Sequence, residues 1–413
     1  MIKVDLICPS ESNSITGPVV IIDRILKNNA YFSERGYEIN AIFKDSFYNF
    51  NKIEGIERNS FLIIIKKRLM SNLKKYAKYS KLLSALLLYS NFVQVRKFVI
   101  KYLSLNRNPD IVIFDSDFEC YHFLKLNKNK KIKSLMFLHT DGIPHKMDLS
   151  YYPKIENTFI YNKLVQIQLY TAKNVNKCAF IADIGRENFL KYFPFILHKK
   201  TAVVINGIED LSTSRLKELN IISNYTDKTS PFKYRLCCSG TIASRKGQKI
   251  VLDALSKLDS IKLKEFHVTF IGDGFERESL ENFVSANKLT FNVSFIGSIK
   301  NNLVDEYLAM SNIYILMSKN EGLPISIIEG MRIGLPIIST KISGIPELVN
   351  GENGILINPD SIELITIFEN MEKYNWVEMG RKSRSRFENE FTYERTRKEY
   401  ADLLDEVSSY TNI

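Results

Sequence analysis

Residues 311–360, SNIYILMSKNEGLPISIIEGMRIGLPIISTKISGIPELVNGENGILINPD, read as strand, loop, helix, strand, turn and strand. That order points to one unit of a parallel α/β sheet. Ile313 to Ser318 is a short apolar run of the buried-strand kind. Glu321-Gly322-Leu323 leaves the C-terminal end of that strand, and Pro324 suits the first turn of a helix. Ile325 to Ile333 continues with helical composition until Gly334 and Pro336 punctuate it. Ligands of open α/β sheets bind where strands end and helices begin. Free N–H groups at this helix start favour a phosphate. The stretch carries two carboxylates, Glu321 and Glu329, with seven residues between them. Glu321 falls in the loop and Glu329 about a turn and a half into the helix. One carboxylate is thus placed near the reacting end of a ligand and the other further along it. Because a carboxylate accepts two hydroxyls at once, the pair suits a sugar and a ribose.

The same alternation runs through the whole chain. Strands are expected at 2–8, 37–43, 111–114, 134–139, 178–182 and 201–205, with helices between them that include 18–33 and 156–173. A polar stretch at 211–232 reads as an interdomain connection. A second series of strands follows at 234–238, 266–271, 293–296, 313–317, 337–339 and 355–357, and the chain is largely helical and charged after Ser361. Alternation of this kind predicts parallel sheets covered by helices on both faces. At 413 residues the chain exceeds one ordinary core, so two domains of about 200 residues are expected.

Composition excludes several classes. The N-terminus MIKVDLICPS reads as a first strand and not a signal peptide, and no apolar run approaches the roughly 20 residues that span a bilayer. The five cysteines lack metal-ligand spacing and read as small buried hydrophobes in a reducing cytosol. The net charge of +11 is concentrated: no acidic residue lies between Arg58 and Asp110, a segment that holds Lys66, Lys67, Arg68, Lys74, Lys75, Lys78, Lys81, Arg96, Lys97, Lys101 and Arg107. Leu62, Ile65, Leu69, Leu73, Tyr76, Leu83 and Leu87 are interleaved at helical spacing. Two readings stand: an amphipathic element for an anionic membrane surface, or a helix packed on its own domain with a solvated basic face. No nucleic-acid motif accompanies the charge.

The spacing of Glu321 and Glu329 resembles the E-(x)7-E signature of retaining, nucleotide-sugar-dependent glycosyltransferases of the GT-B fold (the family 4-like, "glycosyl transferases group 1" enzymes). The resemblance extends through Gly322-Leu323-Pro324, Gly334-Leu335-Pro336, Gly344-Ile345-Pro346-Glu347-Leu348-Val349, Gly351-Glu352-Asn353-Gly354 and Asn358-Pro359-Asp360. It implies two Rossmann-like domains facing each other across a cleft. The first, 1–208, would bind the acceptor and recruit a returning helix from about 391–413; a linker would cover 209–233; the second, 234–390, would bind the donor. It also implies a nucleoside diphosphate-sugar as co-substrate, a UDP-sugar first, with no separate cofactor and no metal. The partners implied are that donor and a glycan or lipid-linked saccharide acceptor. The expected setting is cytoplasmic, with a peripheral place on the inner face of the plasma membrane suggested by the basic amphipathic segment, and the Lys-, Asn- and Ile-rich composition suggests bacterial surface polysaccharide synthesis.

Further residues fit that pattern. Cys238 to Gly247 (CSGTIASRKG) follows a strand and precedes a helix, with the basic charge a phosphate cradle needs. Lys246-Gly247 matches the family, whereas the family's arginine is replaced by Thr241, so Arg245 is the candidate for the second charge. Gly272-Asp273-Gly274 resembles the loop beside the nucleotide base. His139, at a strand tip, occupies the place of a family histidine near the donor sugar. Gly17 is what remains of paired glycines approaching the phosphate, and Asn206-Gly207-Ile208 resembles the turn closing the first domain. The catalytic candidates are Glu321, His139 and Lys246; the donor-binding candidates are Gly17, Arg245, Lys246, Gly272, Gly322, Leu323 and Glu329. Asp115-Ser116-Asp117 has the form of a metal-binding DxD but reads here as acceptor-side polarity. Rival readings are another GT-B enzyme, such as a nucleotide-sugar epimerase or a phosphorylase, and a membrane-bound scaffold subunit with a degraded donor site.

Overall fold

The computed structural model describes residues 1–11, 17–49, 52–55, 73, 76–219 and 230–410. Two compact units emerge, Met1–Ile205 with Arg397–Ile413, and Asn206–Thr396. The first is built on an eight-stranded sheet: β1 (Ile2–Cys8), β2 (Tyr37–Phe43), β3 (Ser46–Asn49), β4 (Lys52–Gly55), β5 (Ile111–Phe114), β6 (Lys133–Leu138), β7 (Lys177–Phe180) and β8 (Thr201–Val203), in the order β4-β3-β2-β1-β5-β6-β7-β8. The pairs β2–β3 and β3–β4 are antiparallel and the others parallel. The β3–β4 hairpin was not expected from the sequence. Its short polar strands carry no apolar run, so register with β2 and not periodicity makes them strands.

Alternate residues of β1 serve two cores, as the two-residue period of a strand requires. Val4 and Leu6 pack with Leu404 and Val407 of the helix Tyr393–Ser409. Ile7 joins Val112, Phe114 and the inner residues Val95 and Val99 of the helix Lys81–Ser104. Asp5 breaks the apolar pattern while fully buried, and a buried carboxylate is costly without partners. Tyr102 Oη donates to it at 2.9 Å and Arg107 Nε at 3.0 Å, which ties the end of the Lys81–Ser104 helix to the sheet. The Tyr393–Ser409 helix is fastened to this unit through Tyr37 Oη to Asp405 (2.5 Å), Arg35 to Asp402 (2.9 Å) and Lys177 to Glu406.

The second unit has six strands, β9 (Tyr234–Ser239), β10 (Phe266–Ile271), β11 (Val293–Gly297), β12 (Ile313–Leu316), β13 (Ile337–Thr340) and β14 (Gly354–Ile357), all parallel, in the order β11-β10-β9-β12-β13-β14. The order reverses between β9 and β12. In the first unit it reverses between β1 and β5. These reversals open the crevices at which α/β sheets hold ligands.

Two expectations need correction. The helix expected at 18–33 is two, Gly17–Lys27 and Asn29–Glu34, because the Asn28 side chain donates to Arg24 O at 3.0 Å and ends the first. The helix expected from 156 starts at Phe159, after Asn157 (φ 58°) and a cap in which Thr158 Oγ1 accepts from Tyr161 N. The connecting stretch contains a helix, Thr213–Glu218, capped by Ser212. Residues 220–229 lie outside the described residues, as do Thr16, Leu62, Ile65, Lys66, Lys67, Arg68, Leu69, Lys74 and Lys75.

Candidate functional site

The β9–β12 reversal brings two loops together. After β9, Gly240 (φ 136°) turns the chain, a 3₁₀ turn covers Ser244–Lys246, and Gly247 (φ 71°) starts the helix Gln248–Leu255. After β12 the chain runs through Ser318, Lys319 and Asn320 to Glu321, before the helix Ile325–Ile333. The loops meet at Glu321. Lys246 Nζ lies 2.8 Å from its Oε1 and Arg245 Nη1 3.1 Å from its Oε2. Ser318 Oγ donates to Oε1 at 2.7 Å, and Arg245 also donates to Asn320 O at 2.8 Å. Burial alone would raise the Glu321 carboxyl; Lys246 and then Arg245 more than offset it and hold the carboxyl below its usual value. Two cations on one buried carboxylate leave a net positive pocket beside a helix N-terminus, which suits a phosphate-bearing ligand.

Backbone contacts set this geometry. A Cβ on Gly247 would stand 1.7 Å from Met317 O, and one on Gly272 would stand 2.1 Å from Gly240 O. Gly272 therefore lets the β10 loop lie directly against the β9 loop, where Gly240 N donates to Ile271 O at 2.9 Å. Gly322 and Leu323 are buried, with Gly322 O accepting from Gly344 N at 3.0 Å. Glu329 sits half-buried in the second turn of its helix, and Gly330 beside it lets that helix close on the Tyr314 ring.

The remaining candidates are in the first unit, at the C-terminal ends of its strands. His139 follows β6, and its Nε2 lies 3.1 Å from Asp115 Oδ1 at the end of β5. Gly17 is the first residue of its helix. The members of the DxD serve different elements: Asp115 partners His139, while Asp117 opens the helix Asp117–Leu126. No cluster of three metal-ligating side chains occurs among the described residues. Sequence reasoning missed Ser318, whose hydroxyl turns back on Glu321 three residues further along the same loop, and also Asn320 and the Asp115 partnership, whose partners follow neighbouring strands and are not marked by local spacing.

Carboxyls accumulate near this edge. Burial, then the charge of Asp117, pushes Asp148 up to about 8, and burial pushes Asp117 up to about 6. A carboxyl whose folded pKa is raised destabilises the fold as pH climbs from its ordinary value of 3.8 toward the folded value. Asp148→Asn is therefore expected to raise the melting temperature by roughly 2–4 °C at pH 8, about 1 kcal/mol for a unit of this size, and to change it little at pH 4. Melts at the two pH values check this; an equal shift at both would refute it.

Residues 227–389 match the family described as Glycosyl transferases group 1. A Haemophilus influenzae protein named an uncharacterized glycosyltransferase is 32% identical over 209 residues, 47% of this chain and 58% of that protein. The O-antigen biosynthesis glycosyltransferase WclY of Escherichia coli is 23% identical over 224 residues, 54% of this chain and 60% of that protein. The matched stretches thus span little more than half the length of these relatives. Among solved structures, Anabaena Alr3699/HepE in complex with UDP superposes with a TM-score of 0.66 at 15% identity, covering 98% of this chain and all of that one (100%). Residues 227–389 thus carry the likeness to the glycosyl transferases group 1 family, and the chain shares its overall fold with solved structures such as Anabaena Alr3699/HepE.

Proposed function

We propose that the chain is a retaining, metal-independent glycosyltransferase that moves a sugar from a nucleoside diphosphate-sugar, UDP-sugars first, to a hydroxyl of a glycan or lipid-linked acceptor. The observation that carries this reading is the convergence of Lys246 and Arg245 on Glu321 at the β9–β12 reversal, beside the start of the Ile325–Ile333 helix. The anomeric C–O bond to the diphosphate breaks and negative charge develops on the leaving group, where preorganised cations and N–H dipoles act most strongly. Lys246, Arg245 and the helix N-terminus supply them. A bound diphosphate shares Lys246 with Glu321, which leaves the carboxylate free to accept a sugar hydroxyl. Glu321, with the backbone of Gly322 and Leu323, orients the donor sugar. Glu329 holds the ribose, and Gly272 keeps the loop near the base close-packed. The acceptor oxygen forms the new bond on the same face and passes its proton to the departing phosphate. His139, held by Asp115, and Gly17 are the contributions assigned to the first unit. Bacterial surface polysaccharide synthesis is the proposed pathway class, in keeping with the O-antigen relative, and a peripheral place at the inner face of an anionic membrane is the proposed setting.

A thermal-shift screen of UDP, GDP, ADP and their sugar conjugates in metal-free buffer tests the reading. One nucleotide family is expected to stabilise the chain by about 2.7 kcal/mol at a hundredfold excess over Kd. Glu329→Ala should lose at least roughly tenfold in affinity, the worth of a charge-assisted hydrogen-bond pair. No shift with any nucleotide would favour a scaffold with a degraded donor site, the alternative that Thr241 and the single Gly17 suggest.

A further inference from the structure

The helix Lys81–Ser104 is apolar on two faces. Ser84, Leu87, Leu88, Val95, Val99 and Tyr102 are buried against the first unit. On the far side Leu82 is 71% exposed, Leu86 55%, Tyr89 68% and Ile100 45%, and Val93 between them is half-buried. At 3.6 residues per turn these five positions fall in one stripe about 60° wide. Arg96 and Lys97 are exposed along its borders, with Lys101 further round the helix and Lys81 exposed at its first turn. Tyr76 and Tyr79 stand exposed just ahead of the helix, with Lys78 Nζ 4.8 Å from the Tyr79 ring centre. A helix that has already satisfied its core face has no folding reason to carry a second apolar stripe, and solvated helices place polar residues there.

We infer that this outer face docks on an anionic phospholipid bilayer, the stripe lying shallowly in the interface and the cations meeting lipid phosphates. Charge complementarity selects that occupant. With no acidic residue between Arg58 and Asp110, a second copy of the face would bring like charges together. A lipid surface instead takes an apolar stripe bordered by lysine and arginine, with tyrosines at the headgroup level. None of the helices among the described residues is long and apolar enough to cross a membrane, so the helix lies on the surface. The anchorage of Tyr102 and Arg107 to buried Asp5 makes it a fixed platform. The inference rests on the proposed transferase reading for its acceptor only, and vesicle binding is measured apart from nucleotide binding so that each can fail alone.

The test is co-sedimentation of the full chain with phosphatidylcholine vesicles containing about one-third phosphatidylglycerol, against phosphatidylcholine alone. Binding to the anionic vesicles that weakens in high salt, and falls at least roughly tenfold in Leu86→Asp/Tyr89→Asp, is the expected result. The melting temperature of that variant should stay within about 2 °C of the native chain, since both residues are exposed. Lys97→Gln, which leaves the stripe intact, should weaken binding about fivefold, the effect of one interfacial charge. Equal binding to both vesicle types, no binding by the native chain, or undiminished binding by a folded double variant would overturn the inference. So would a native dimer that the double variant turns into a monomer, since the face would then join two copies.

Discussion

Lys246→Met should be the most damaging single change to ligand binding. Removing one partner of a desolvated, hydrogen-bonded charge pair costs about 2–5 kcal/mol, so affinity for a nucleoside diphosphate should fall by roughly 30-fold or more. Stability should fall too, by about 1–3 kcal/mol, because Glu321 stays buried with only Arg245 and Ser318 as partners. The pH dependence identifies the cause. The Glu321 carboxyl is held below its ordinary 4.5, so its pairing stabilises the native chain above that pH and is lost as pH falls through the lower folded value. The variant has less to lose, and its acid limb should be shallower. Chemical denaturation at pH 7 and at pH 3 to 4 measures both effects. An acid limb identical to that of the native chain would mean the pair does not contribute as described.

Gly247→Ala should be the most damaging change of backbone. Gly247 combines a left-handed φ of 71° with a position where a Cβ would lie 1.7 Å from Met317 O. The conformation alone costs about 1–2 kcal/mol for an L-residue. Relieving the contact means pulling the β9 loop off the end of β12, which takes Arg245 and Lys246 from Glu321. A loss of at least about 3 kcal/mol is expected, roughly 6–12 °C in melting temperature, together with nucleotide binding. Gly351→Ala is the control: nothing lies within 4 Å of the added methyl, so it should melt within about 1 °C of the native chain. Similar melting for the two variants would refute this account of the loop.

Apolar runs made most of the architecture legible. A strand buried on both faces announces itself as an unbroken run, as β5 (IVIF) does, and β1, β2 and β10, though interrupted by polar residues, still begin and end on apolar ones. The Ile325–Ile333 helix was equally plain, bounded by Pro324 and by Gly334 (φ 82°). What stayed hidden depends on tertiary register. The β3–β4 hairpin has no period of its own. The partners of Glu321 come from a loop some seventy-five residues upstream, joined to it only because β12 adds beside β9. Asp115 and His139 meet because β5 and β6 are neighbours, a pairing no local spacing declares. In the Lys81–Ser104 helix the basic charge was visible but the free apolar stripe was not, since two apolar faces on one helix blur the periodicity that marks either alone.

The most direct measurement is a metal-free calorimetric titration of UDP into the native chain and into Lys246→Met, with EDTA present throughout. The account predicts one saturable site in the native chain and a loss of roughly 30-fold or more in the variant. Binding that appears only with a divalent metal, or that survives unchanged in Lys246→Met, would contradict it.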